Sequence, residues 1–365
     1  GTTFSSTVDA ATVTITSTSL NNAVSFNGNL NLSSGMTVGA GAAAYNIAIN
    51  GSSNTIAGTT TFANTGTVTL GNGGDTVNFT GGVVATAPSA ITVNGTVTAA
   101  GTGVITLGDS DTGVTIGGTS TIGGTSTGTI TMGAIALNNN LTLGAGVATP
   151  ISLRTVTGPS SGTSDLTFNT TGAITVSGAV GTNIGTITIT NSGGTTFSST
   201  VNAASLIISA STVGSTVTFS NSLTLSSGLT VNAGPAAYNI SISGSSTNIA
   251  GATTFNNTGT LTFTSGSSST FRSGIVATAP SSISLAGTIA TWNLGNITIG
   301  DSDTNLSASG NAYIFSLANS SIQIGATTLA DGAYFTIGSG SANPISLSSI
   351  SGTAGGSSSN ITINT

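Results

Sequence analysis

Two short segments hold half of the acidic residues of this 365-residue chain: Gly108-Asp109-Ser110-Asp111-Thr112 and Gly300-Asp301-Ser302-Asp303-Thr304. Two carboxylates, two residues apart in a turn, supply hard oxygen donors of the kind Ca²⁺ takes. A carboxylate pair can also share the acid and base roles of glycoside hydrolysis. Both chemistries need further groups. Neither segment brings the third ligand or the closing Glu of an EF-hand loop. An Asp in such a place also forms turns by bonding its own backbone. Asp109, Asp111, Asp301 and Asp303 therefore stand as Ca²⁺ candidates beside a plain turn reading. A second echo, Gly71-Asn72-Gly73-Gly74-Asp75-Thr76-Val77, is similar to the glycine-aspartate nonapeptide of Ca²⁺-binding β-rolls. Such a site needs stacked successive copies, and this one occurs once, so it reads as a corner turn.

The remaining composition offers little else for chemistry. Lys, His, Cys and Glu are absent, the only basic residues are Arg154 and Arg272, and charged residues make up 3%, against about 25% in ordinary globular proteins. No acid–base pair or nucleophile–base pair can be assembled, so no catalytic residues and no enzyme are expected. Two arginines cannot displace the counterions of a polyanion, which excludes nucleic-acid binding. The net charge of −6 is spread too widely to mark a partner. No apolar run reaches the ~18 residues of a membrane helix, and no signal peptide pattern opens the sequence. The start at Gly1, inside a repeat, reads as a window onto a longer array or a processed product.

The elements that must position these residues are strands. Runs such as Thr12-Val13-Thr14-Ile15-Thr16 and Gly185-Thr186-Ile187-Thr188-Ile189-Thr190 alternate with period two. No stretch has helical spacing. A 37% apolar content and a mean hydropathy of +0.38 argue against disorder.

Two repeats are nested. Gly1-Thr2-Thr3-Phe4-Ser5-Ser6-Thr7-Val8 recurs from Gly194, and Ala44-Tyr45-Asn46-Ile47 recurs as Ala237-Tyr238-Asn239-Ile240. Ala85-Thr86-Ala87-Pro88-Ser89 recurs from Ala277, and Pro150-Ile151-Ser152-Leu153 from Pro344. This divides the chain into a first long repeat, 1–193, and a second, incomplete one, 194–365, continuous with the first. Residues 171–193 have no counterpart in the second. Inside each lies a shorter step near 23 residues, traced by Val68, Ile91, Val114 and Leu137, by Val13 to Met36, and by Leu206 to Leu229. A step of roughly 20–25 residues is one coil of a parallel β-helix or solenoid. At about 4.8 Å per coil the chain makes about 16 coils and a rod on the order of 75 Å. In that fold Val, Ile, Leu and Ala stack inward, Thr and Ser face outward, and Gly and Asn take corners with positive φ. Like charges would repel at every step, so charge poverty suits it.

The run Gly185-Thr186-Ile187-Thr188-Ile189-Thr190-Asn191-Ser192-Gly193-Gly194-Thr195-Thr196-Phe197 and its continuation through Ala203 resembles the repeats of bacterial "beta strand repeat" surface exoproteins, related in style to autotransporter passengers and filamentous haemagglutinin-type adhesins. The resemblance implies a right-handed parallel β-helix, an extracellular or cell-surface location, and a role in adhesion, sheath or fibre formation. Uncapped solenoid ends add the expectation of head-to-tail self-association. A carbohydrate- or ice-binding module that meets surface glycans is the alternative, and it would need a regular outward row of aromatics or threonines. Thr-x-Thr occurs at scattered phases, and Trp292, opposite Ala100 in the other copy, reads as a surface or cap variation.

Overall fold

The computed structural model describes residues 1–160, 162–264, 266–353 and 357–365. The chain is all-β, with parallel strands stacked as a β-solenoid of about 16 coils. It divides into two compact units, Gly1–Gly185 and Thr186–Thr365.

In the first unit the coils stack in three ladders. The first ladder joins Val24, Ile47, Val68, Ile91, Val114, Ile135 and Val156 in register. From Val68 the expected step holds as far as Val114, after which the partner is Ile135; Ile47 to Val68 is likewise a step of 21 residues. Leu137 pairs with Ile116 instead. The coil there is two residues shorter, and corner loops absorb the difference while the strands keep their stacking. The third ladder joins Val83, Ile105, Ile130, Ile151 and Ile174. Each of these is at most 2% exposed. Burying one such side chain is worth about 1.5–3 kcal/mol, so the stacks carry the fold.

Period-two alternation turns directly into this burial. Along Ala90–Ala99 every second residue is buried, with Thr92, Thr96 and Thr98 on the outer face. Some strands serve two ladders by shifting register midway, as Val8–Ile15 does between Ala10 and Thr12. Glycine is required where coils touch. A Cβ on Gly66 would lie 2.2 Å from the Tyr45 carbonyl oxygen, and one on Gly259 would lie 2.2 Å from that of Tyr238.

The second unit repeats the plan. One ladder joins Val217, Ile240, Leu261, Ile283 and Leu306, and another joins Ile275, Ile297, Ile322 and Ile345. Its interior holds a ring cluster that the first unit lacks. Phe263 meets Phe255 at 6.4 Å and Phe271 at 6.3 Å, both edge to face. Leu70 occupies the equivalent register in the first unit, so that Phe62 and Phe79 meet there as a single pair, at 6.1 Å.

Candidate functional site

The aspartate segments sit in turns that follow the strands Ile105–Leu107 and Ile297–Ile299. Gly108 and Gly300 open them with φ of 73° and 70°, a left-handed conformation that glycine adopts without steric cost. Asp109 Oδ1 accepts from the backbone N–H of Asp111 at 2.9 Å and of Thr112 at 3.0 Å. Asp301 Oδ1 accepts in the same way from Asp303 at 2.9 Å and Thr304 at 2.8 Å. Each turn is closed by the N–H of its first Asp donating to the carbonyl of its Thr, at 3.2 Å in both. These backbone hydrogen bonds, to Asp111 and Thr112 in one turn and to Asp303 and Thr304 in the other, hold both carboxyls below the usual range.

The threonine that ends each segment is buried and reaches the preceding coil. Thr112 Oγ1 donates to the carbonyls of Thr86 at 3.0 Å and Pro88 at 2.6 Å. Thr304 Oγ1 does the same to Thr278 at 2.6 Å and Pro280 at 2.7 Å. Two motifs that recur separately in the sequence, Ala-Thr-Ala-Pro-Ser and Gly-Asp-Ser-Asp-Thr, are thus halves of one clamp between coils.

As metal ligands, Asp109 and Asp301 each have one carboxylate oxygen already held by two N–H groups, with Asp111 and Asp303 exposed beside them. Two carboxylates fall short of the six to eight oxygens Ca²⁺ collects. Among the described residues no group of three or more His, Cys, Asp or Glu is placed to hold a metal ion. A general acid for glycoside cleavage needs its pKa raised, and the Asp109 and Asp301 carboxyls move the other way. A hollow of about 290 Å³ beside Asp301 is lined also by Gln323, Ser346 and Ser348. It brings one carboxylate to an otherwise neutral surface.

Asp75, in the single glycine-aspartate echo, is buried, and its Oδ2 accepts from the Asn72 N–H at 2.7 Å. It braces a corner whose glycines 71, 73 and 74 all have positive φ. Alongside runs an asparagine row that the sequence reading missed. Asn50 Nδ2 donates to Asn27 Oδ1 at 3.1 Å, and Asn94 Nδ2 donates to the Gly71 carbonyl at 3.2 Å. Asn27 and Asn50, with Asn29, Asn72 and Ser52, border a polar hollow of about 650 Å³ on the first unit. The 22–23-residue spacing of Asn27, Asn50, Asn72 and Asn94 was the available signal. At the matching corner of the second unit Ser220, Ser243 and Ala286 stand in place of Asn27, Asn50 and Asn94.

Other recurrent motifs also resolve into corner bonds. The buried Tyr45 hydroxyl donates to the Gly39 carbonyl, and that of Tyr238 donates to Asn232. Burial raises the pKa of both phenols. Asn46 Oδ1 and Asn239 Oδ1 each accept from the N–H of the threonine one coil on, Thr67 and Thr260, at 2.8 Å.

Fold and corners together define a parallel β-solenoid protein with tandem-repeat architecture. No family model matches the sequence, and no curated protein and no solved structure matches it.

Proposed function

We propose that the chain is a structural β-solenoid of the cell exterior, which builds a fibre, sheath or adhesin stalk by end-to-end continuation of its coils. The observation that carries this reading is the stacking itself. Inward residues such as Ile47, Val68 and Ile91 are each paired with, and closed by, the coil on either side. A parallel ladder of this kind is extended by any further coil in register, which satisfies both the backbone and the side chains. The resemblance to bacterial surface exoproteins supports the location, and the charge-poor outer face suits coil-on-coil stacking. In this reading the aspartate turns hold the fold and carry no catalysis.

Electron microscopy of the native material tests it. Unbranched fibres with a meridional layer line near 4.8 Å are expected. Short monodisperse particles at all concentrations would overturn assembly by coil continuation.

A further inference from the structure

Among the aromatic side chains, those not fully buried are Phe4 in the first strand and four others, all in the second unit: Trp292, Tyr313, Phe315 and Tyr334. Register brings these four together. Strand Ala312–Ser316 pairs with Thr288–Thr291 so that Thr291 meets Ser316, which sets Trp292 beside Leu317. Tyr313 pairs on its other side with Thr336, two residues past Tyr334. Tyr313, Phe315 and Leu317 alternate along one outward-facing strand, with Trp292 and Tyr334 on the two flanking coils. Trp292, Leu317 and Tyr334 are 54%, 53% and 55% exposed, and Leu294 beyond Trp292 is 80% exposed. From the register of Tyr334 to that of Leu317 is about six residues, about 20 Å of strand.

The equivalent registers of the first unit hold Ala100 for Trp292, Thr121 for Tyr313, Gly123 for Phe315, Thr125 for Leu317 and Asn140 for Tyr334. The outward face therefore does not need rings to fold. An exposed row of rings in a chain with 5% aromatics calls for a ligand.

We propose that this stripe binds an uncharged polysaccharide, laid along the outer face with pyranose rings on Trp292, Tyr313 and Tyr334. Aromatic faces accept the apolar C–H face of a sugar, and tyrosine presents an apolar body with a polar tip. Thr270, Thr288 and Thr336 border the stripe and offer neutral hydrogen-bonding groups to sugar hydroxyls. The two charges nearby, Arg272 and Asp331, have opposite signs and select no charged polymer. The Arg272 guanidinium carbon lies 5.7 Å from the Trp292 ring centre, and its Nε donates to Asn248 Oδ1 at 2.9 Å. Asp331 lies three residues before Tyr334 and would repel a polyanion. Protein partners need about 800 Å² per side, and a stripe three strands wide and about 20 Å long does not supply it. The fibre or stalk role stands whether or not the stripe binds sugar.

The test uses the full chain, in which Trp292 is the only tryptophan and so reports from the stripe itself. Titration with hydroxyethyl cellulose, dextran and galactomannan should shift Trp292 emission to the blue with at least one polymer, and heparin should leave it unmoved. The triple variant Trp292→Ala/Tyr313→Thr/Tyr334→Asn installs the residues of the first unit and should keep the wild-type circular dichroism. Its retardation in native gels containing the bound polymer should weaken about tenfold or more. Tyr313→Thr alone, which keeps the fluorophore, should weaken the emission titration without changing the spectrum of the free chain. Emission unmoved by all three uncharged polymers overturns the proposal, and so does retardation that survives the triple substitution. A wild-type shift that follows protein concentration without polymer, together with a sedimentation coefficient that falls in the triple variant, also overturns it, in favour of a second copy of this chain.

Discussion

Replacing Phe263 by Leu tests whether ring geometry, beyond apolar area, holds the interior of the second unit. Phe263 makes two edge-to-face contacts, with Phe255 and Phe271 at interplanar angles of 81° and 90°. Such a pair is worth about 0.5–1.5 kcal/mol beyond its buried area. Leucine keeps most of the area and loses both contacts, so the expected cost is about 1–3 kcal/mol. Leu70 shows that the backbone accepts leucine in this register. A solenoid's stability is a sum over coils and their neighbours, which makes a single melting temperature a poor readout. Native-state hydrogen exchange resolves the loss by place. Amides in Thr253–Phe255, Thr260–Phe263 and Ser268–Phe271 should open about 5- to 150-fold more readily. Amides around Phe62 and Phe79 should be unchanged. Wild-type exchange in the three strands would refute the energetic role of the ring contacts. Equal acceleration in both units would refute the nearest-neighbour reasoning.

Gly66→Ala and Gly259→Ala should each force adjacent coils apart, because the new methyl meets a backbone oxygen that cannot step aside; a loss above about 4 kcal/mol, or local protease sensitivity at that corner, is the expected readout. Tyr238→Phe leaves the Asn232 carbonyl without its donor and should cost about 1 kcal/mol by hydrogen exchange in the same coil. The lowered pKa of Asp301 means that its stabilisation is complete above the ordinary carboxylate value and is lost as pH falls through the lower folded value. Asp301→Asn keeps an oxygen acceptor and should flatten that acid-side loss in a circular dichroism titration. Millimolar Ca²⁺ should leave thermal unfolding of the wild type and of Asp111→Ala unchanged, whereas a Ca²⁺-dependent rise confined to the wild type would restore the metal reading.

The ladders were legible in the sequence because inward residues announce themselves twice, by alternation along the strand and by recurrence one coil on. Val24 with Ile47 and Leu206 with Leu229 are direct partners at the expected step. Leu137 was misplaced because a fixed step cannot follow corners that lose two residues. Polar side chains inside the coils were also hidden. Asn54 is buried, accepts from the Leu30 N–H at 3.0 Å and donates to Gly51 and Thr76 carbonyls, yet in sequence it resembles any corner asparagine. The aspartate pairs stood out by charge, and the structure accounts for Asp109 and Asp301 as turn braces. Trp292 looked solitary because Tyr313 and Tyr334 become its neighbours only once register is known.

In each unit the hydrogen bonds between coils point along the direction in which coils stack, and each coil is one continuous piece of chain. A load along that direction pulls those bonds apart in file, and it strips the end coil before the next one feels the full force. Freeing about 23 residues lengthens the chain by roughly 75 Å, while the coil left behind remains a template for rewinding. The same stacking thus gives each unit a stepwise response to load, in which coils yield one at a time and can rewind.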